Sequence, residues 1–179
     1  MNVAVEKVTS NKNEEANKVI FNYALGSIVP SLLPVPLVDL AIVAGVQLKM
    51  LHSLANIYDV PFKEELGRSS ISALLGGTVA LSMARVVSSA VKAVPVVGSL
   101  VGAFSMPVVN GGSTYAIGKV FVQHFESGGT MLTFDPSKVR EHFKKEFEAG
   151  KAVIASAQAS GGHDQADERL ELGQGLLHL

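Results

Sequence analysis

The stretch from Val29 to Tyr58 constrains this chain more than any other. A proline-stiffened apolar entry (Pro30, Pro34, Pro36) leads into a helix that is apolar nearly all round, and such a helix has to be buried, in protein or in lipid. At about 100° per residue, Asp39, Val43, Gln47, Met50, Leu54 and Ile57 share one stripe, so two polar side chains lie inside an otherwise apolar face. Lys49 and His52 fall on the far side, where a long stem carries its charge out to water. Pro36 is tolerated in the first turn because that N–H has no helical partner. Asp39 then has two readings: a helix-start residue favoured by the dipole, or half of a buried ion pair. Its preferred partner is Arg85, which interrupts an uncharged run much as Asp39 interrupts this one.

Composition agrees with a buried or lipid-facing chain. Apolar residues make up 47% of the 179 residues and charged ones 17%, against about a quarter charged in an ordinary globular domain, and the mean hydropathy is +0.32. The length suits one domain with a substantial core. A net charge of −1 gives no electrostatic footprint for nucleic acid. With no cysteine, disulfides, thiolate metal sites and cysteine catalysis are excluded together. Residues Met1 to Lys18 mix Glu6, Glu14 and Glu15 with lysines and have no early apolar run, so no secretory signal is expected.

Read in order, the pattern predicts an all-α protein of five to six helices. Residues 1–12 read as a flexible arm, 13–156 as the helical domain, and 157–179 as a polar linker ending in a short apolar peptide. Asn11 or Asn13 with Glu14 and Glu15 starts a helix reaching about Ser27. The proline corner separates it from the central helix, and Pro61 opens a third helix from about Phe62 to Val94. The 26 uncharged residues between Lys92 and Lys119 are punctuated by Pro95, Pro107, Gly98, Gly102, Gly111 and Gly112, which suggests a hairpin or re-entrant element. Gly128-Gly129 stops the next helix. Asp135-Pro136 starts the last, whose Val139, Phe143, Phe147, Gly150 and Ile154 form an amphipathic face.

Small residues recur at fourth positions: Gly76, Ala80 and Ala84, then Gly98 and Gly102, then Gly112 and Ala116. Such ridges let helix backbones approach closely, in membranes and in tight soluble bundles alike. Leu170, Leu172, Leu176, Leu177 and Leu179 form a candidate docking peptide on the polar tether. No spacing of a phosphate loop, a nucleophile elbow or a zinc helix occurs. Gly112 to Gly118-Lys119 has five intervening residues and then Val120, and the histidines at 52, 124, 142, 163 and 178 are scattered. No cofactor is expected, and His124 and His142 read as surface side chains.

Several short motifs nonetheless stand in one order: Pro34-x-Pro36-x-x-Asp39, Gln47-x-x-Met50, Tyr58-x-x-Pro61-Phe62, Pro95-x-x-Gly98, Thr114-Tyr115-Ala116-x-Gly118 and His124-Phe125-x-x-Gly128-Gly129. Over about residues 15–150 this resembles a bacterial helical family, the domain of unknown function 697, found alone, in inner-membrane proteins and fused behind GTPase domains. The resemblance implies an all-helical, membrane-associated module with no established activity. This chain lacks the fused GTPase domain, so a nucleotide role would need a partner. The resulting expectation is a non-enzymatic protein at the inner membrane or the cytoplasmic face of a membrane, self-associating as a homo-oligomer through its small-residue faces. The alternative is a soluble cytoplasmic interaction module, partner of a GTPase or docked to a larger assembly through its C-terminal peptide.

Overall fold

The computed structural model describes the backbone of residues 2–28, 36–76 and 95–176, and side chains over 7–28, 41–76 and 106–160. Within these residues the chain is all-α, with five helices and no strand, as its patterning predicts. They are α1 (Asn2–Gly26), α2 (Pro36–Ile57), α3 (64–76), α4 (Pro95–Glu126) and α5 (Arg140–Leu176). The side-chain pairs give the directions. Gln47 meets Ser113 while Tyr58 meets Glu126, so α2 and α4 run parallel. Asn13 meets Glu126 and Asn17 meets Lys119, so α1 is antiparallel to α4. Helix α4 packs against α1, α2 and α5 and is the centre of the bundle. Its Ala116, Ile117, Val120 and Phe121 are buried with Ile20 of α1, Met50, Leu51 and Leu54 of α2, and Phe143 and Phe147 of α5.

Four local expectations are corrected. The stretch 1–12 read as an arm is helical from Asn2, as its sequence holds no helix breaker; Lys12 and Asn13 reach across to Asp59 and Glu126. The region read as a hairpin is one continuous helix that passes through Pro107. Packing of 106–126 on three neighbours outweighs the poor local propensity of Pro107, Gly111 and Gly112. Helix α5 continues through the polar stretch after Ala157 to Leu176. Asp135 caps its own turn instead of α5: its Oδ1 accepts from the Ser137 amide at 3.0 Å and hydroxyl at 2.6 Å, and α5 begins at Arg140. Those two bonds, the hydroxyl's first, hold the Asp135 carboxyl below its ordinary range.

The ends of α2 and α4 are built alike and tied together. At α4, Gly128 (φ 77°) lets its own amide reach Phe125 O (2.9 Å) while the Gly129 amide reaches His124 O (2.9 Å), the paired bonds of a Schellman cap. At α2 the same pair runs from Asp59 to Asn56 and from Val60 to Ala55, with Asp59 at φ 57°. A non-glycine residue there costs about 1–2 kcal/mol, and the Lys12–Asp59 ion pair (2.7 Å) helps hold it. Glu126 Oε1 accepts from Asn13 Nδ2 (2.7 Å) and Tyr58 Oη (3.0 Å), clasping α1, α2 and α4 at this end.

Burial first, then the hydrogen bond to Glu126 and its charge, push the Tyr58 phenol above its ordinary value. The raised folded value means that the clasp's contribution is complete below the ordinary phenol range, about pH 10, and is lost as pH rises through the folded value. Alkaline absorbance titration should show Tyr58 ionising above the ordinary phenol range, and Glu126→Gln should bring it down toward that range. An unmoved titration in that variant would mean that burial alone sets it.

Candidate functional site

The central stripe is where the sequence places it. Val43, Gln47, Met50 and Leu54 are buried, Ile57 is partly so, and Lys49 and His52 face water. Gln47 is fully buried, and its Nε2 donates to Ser113 Oγ and Thr114 Oγ1, each at 3.2 Å. Both hydroxyls donate in turn to Asn110 O, at 2.9 and 3.0 Å. Gln47 Oε1 has no partner among the described residues. The layer is neutral and suits register more than acid–base chemistry. The sequence motifs include Thr114 without its role and pass over Ser113 and Asn110; their signal is hydroxyls back-bonding a carbonyl three or four residues earlier in an uncharged helix. Asp39 lies in the first turn of α2 with its side chain outside the described residues, and Arg85 is outside them altogether, as is their pairing.

Of the small-residue positions, Gly112 and Ala116 are buried within the chain. A Cβ on Gly112 would stand 2.9 Å from Lys151 Cγ and 3.1 Å from the Lys151 amide nitrogen. One on Gly150 would stand 2.9 Å from Gly112 O. Helices α4 and α5 therefore cross backbone to backbone. Gly118, whose Cβ would come within 2.6 Å of Ile20 Cγ1, and Gly111, at 3.2 Å from Ala24 O, admit α1 in the same way. Gly76 is exposed with open space around it. Ala80 and Ala84 lie outside the described residues; Gly98 and Gly102 lie on α4, and Leu170, Leu172 and Leu176 on α5, with surroundings that are not described. Leu177 and Leu179 also lie outside. His124 holds the α4–α5 loop, its Nε2 donating to Thr130 O at 2.9 Å. Among the described residues, no three side chains are grouped to hold a metal ion.

The helix directions sort charge along the bundle. Sequence without Asp, Glu, Lys or Arg follows Lys18 in α1, Arg68 in α3 and Lys151 in α5 as far as His163. It precedes Lys49 in α2 back to Asp39, and Lys119 in α4 back to its start. With α2 and α4 running one way and α1, α3 and α5 the other, all five stretches gather at one end. Ala41, Ile42, Gly45, Phe21, Ala73 and Ala155 are exposed there, while the Glu126 clasp marks the other end. Among the described residues, no helix is long and apolar enough to cross a membrane.

A family model described as "Domain of unknown function (DUF697)" matches residues 2–151. The chain belongs to the DUF697 family. It is 41% identical over 145 residues to magnetosome membrane protein 22 of Magnetospirillum gryphiswaldense, covering 80% of this chain and 74% of that one. No solved structure matches. The DUF697 match stops at Lys151, beside the glycine crossing, so it contains both sides of that contact.

Gly150→Ala should cost about 1–3 kcal/mol, since the atom it meets is a backbone carbonyl. Gly45→Ala, on an exposed helical surface with open space, should stabilise by about 0.5–1 kcal/mol. Thermal unfolding reads both, and equal signs would refute the close crossing. Gln47→Met removes the orphan Oε1 yet leaves both hydroxyls bonded to Asn110 O, so it should be neutral or slightly stabilising. A loss above about 3 kcal/mol would show an unseen partner on Oε1.

Proposed function

We propose that this chain is a non-enzymatic, membrane-associated module that seats the charge-free end of its bundle in the cytoplasmic face of a bilayer, with the charged end in water. The carrying observation is the axial sorting of charge: beyond Lys18, Lys49, Arg68, Lys119 and Lys151 each of five helices that alternate in direction runs uncharged toward the same end, as far as Asp39 on α2 and Asp164 on α5. The membrane protein among the relatives supports the same reading. From Lys18 to Ile28, and from Lys49 back to Asp39, ten residues give about 15 Å of helix. That is about half of a 30 Å hydrocarbon core, so the depth suits one leaflet. The Gly112–Ala116 ridge is occupied by α5, which leaves self-association to exposed small residues such as Gly45 and Gly76.

A second reading, a soluble module docking the same end onto a GTPase or another assembly partner, is favoured by Asn22, Ser69, Ser72 and Ser156, which are exposed there. Detergent-free fractionation separates the two. The full chain should sediment with membranes and remain in the pellet after a carbonate wash. Recovery as a monodisperse soluble species would transfer the assignment to the docking module.

A further inference from the structure

We infer that five cations, one from each helix, form a belt that selects anionic lipid headgroups. This inference rests on the seating proposed above and names its lipid class. On every helix the described charge nearest the charge-free end is basic: Lys18, Lys49, Arg68, Lys119 and Lys151. On α1, α3 and α5 the next carboxylate, Glu15, Glu65 or Glu148, stands three residues further from that end, about 4.5 Å, and on α4 it is Glu126; α2 has no carboxylate on the water side of Lys49, and its Asp39 bounds the uncharged stretch ten residues beyond Lys49, as Asp164 does thirteen beyond Lys151.

The contacts bring the five to a similar depth. Lys119 Nζ reaches Asn17 Oδ1 at 2.8 Å, level with Lys18. Gln47 against Ser113 and Thr114 sets Lys49 beside the next turn of α4. Gly67 lies against Leu48, so Arg68 is nearby, and Lys151 lies against Gly112. In terms of α4 the belt spans residues 112–119, about 10 Å of helix, comparable to a headgroup layer.

The ion pairs do not compete strongly for these cations. Lys18–Glu14 (3.6 Å), Arg68–Glu64 (2.8 Å) and Lys151–Glu148 (2.8 Å) are pairs within one helix, and each carboxylate sits on the water side of its cation. The side chains of Lys18 and Arg68 are more than half exposed, and Lys49 is exposed with no ion pair among the described residues. Exposed pairs such as those of Lys18 and Arg68 are weak, so a lipid phosphate can share or replace the carboxylate there, whereas Lys151 is half-buried over the Phe147 ring. The whole chain carries a net charge of −1 and has no overall attraction for an anionic surface. A preference for anionic lipid has to come from the arrangement of charge.

The test is flotation of the full chain, synthesised cell-free in the presence of vesicles of phosphatidylcholine alone or mixed with phosphatidylglycerol. Binding should be stronger to the mixed vesicles, and the excess should fall with salt. Lys49→Gln should lose about fivefold of that excess, and Lys18→Gln/Lys49→Gln/Arg68→Gln about fivefold for each cation removed. Lys7→Gln/Lys138→Gln/Arg140→Gln makes the same change in composition at the charged end and should retain the excess. Equal binding to both vesicles, or equal loss in both triple variants, overturns the belt and leaves the seating intact. Failure to float with either vesicle overturns the seating and the belt together. Circular dichroism melting of each variant confirms that the bundle is folded, and the single Lys49→Gln carries the test if the triple variant melts early.

Discussion

The bundle depends on the backbone approach of α4 to α5 and α1. Helix α4 has no charge before Lys119, so nearly its whole circumference has to be covered. Gly111, Gly112 and Gly118 leave shallow places on its surface, and Ile154, Lys151 and Ile20 fill them. Gly150 on α5 answers Gly112 from the opposite side. Glycine in a helix costs about 1 kcal/mol each against alanine. Here that cost is offset by the dispersion contacts of a close crossing, and by burial of Phe143, Phe147 and Ile154 along the same seam.

The two ends of the bundle are held by different physics. At the clasp end, Glu126, Tyr58, Asn13, Lys12 and Asp59 form exposed hydrogen bonds and an ion pair, individually weak and dependent on pH and salt. Further in, Phe121, Ile117, Met50, Leu51 and Ile20 are almost fully buried and supply the apolar term. The clasp fixes where helices end relative to one another, and the core supplies most of the free energy. The uncharged end therefore contributes little to the stability of the fold, which comes from the middle.

Much of this was legible in the sequence. The stripe through Val43, Gln47, Met50 and Leu54, the opposed Lys49 and His52, the glycine stop after α4 and the Phe143–Phe147–Ile154 face all follow from helical periodicity. The hairpin expectation fails for a local reason. Pro107, Gly111 and Gly112 are breakers by propensity, and a local reading stops the helix at them, whereas three packed neighbours carry it through. The small residues stand out as ridges, yet their partners are invisible in one dimension: nothing in Gly112 names Lys151, and nothing in Gln47 names Thr114. The axial sorting of charge was equally hidden, because uncharged runs on alternating helices become one end only when their directions are known.

That sorting places a demand on register, and the polar layer meets it. Helices α2 and α4 run parallel and face one another with Leu, Ile, Val, Met and Phe, side chains that tolerate sliding by a turn at small cost. A slip of one turn would move Lys49 by about 5.4 Å along the bundle, and the basic boundary of α2 would part from that of α4. Gln47 prevents this, because its amide can donate twice only where Ser113 and Thr114 stand together, and both hydroxyls are already oriented by Asn110 O. In any slipped register the buried amide would lose both acceptors, at about 1–3 kcal/mol for each unsatisfied donor. The unpartnered Oε1 is the cost of that arrangement: the layer gives up some stability in the native register so that the alternatives lie higher still.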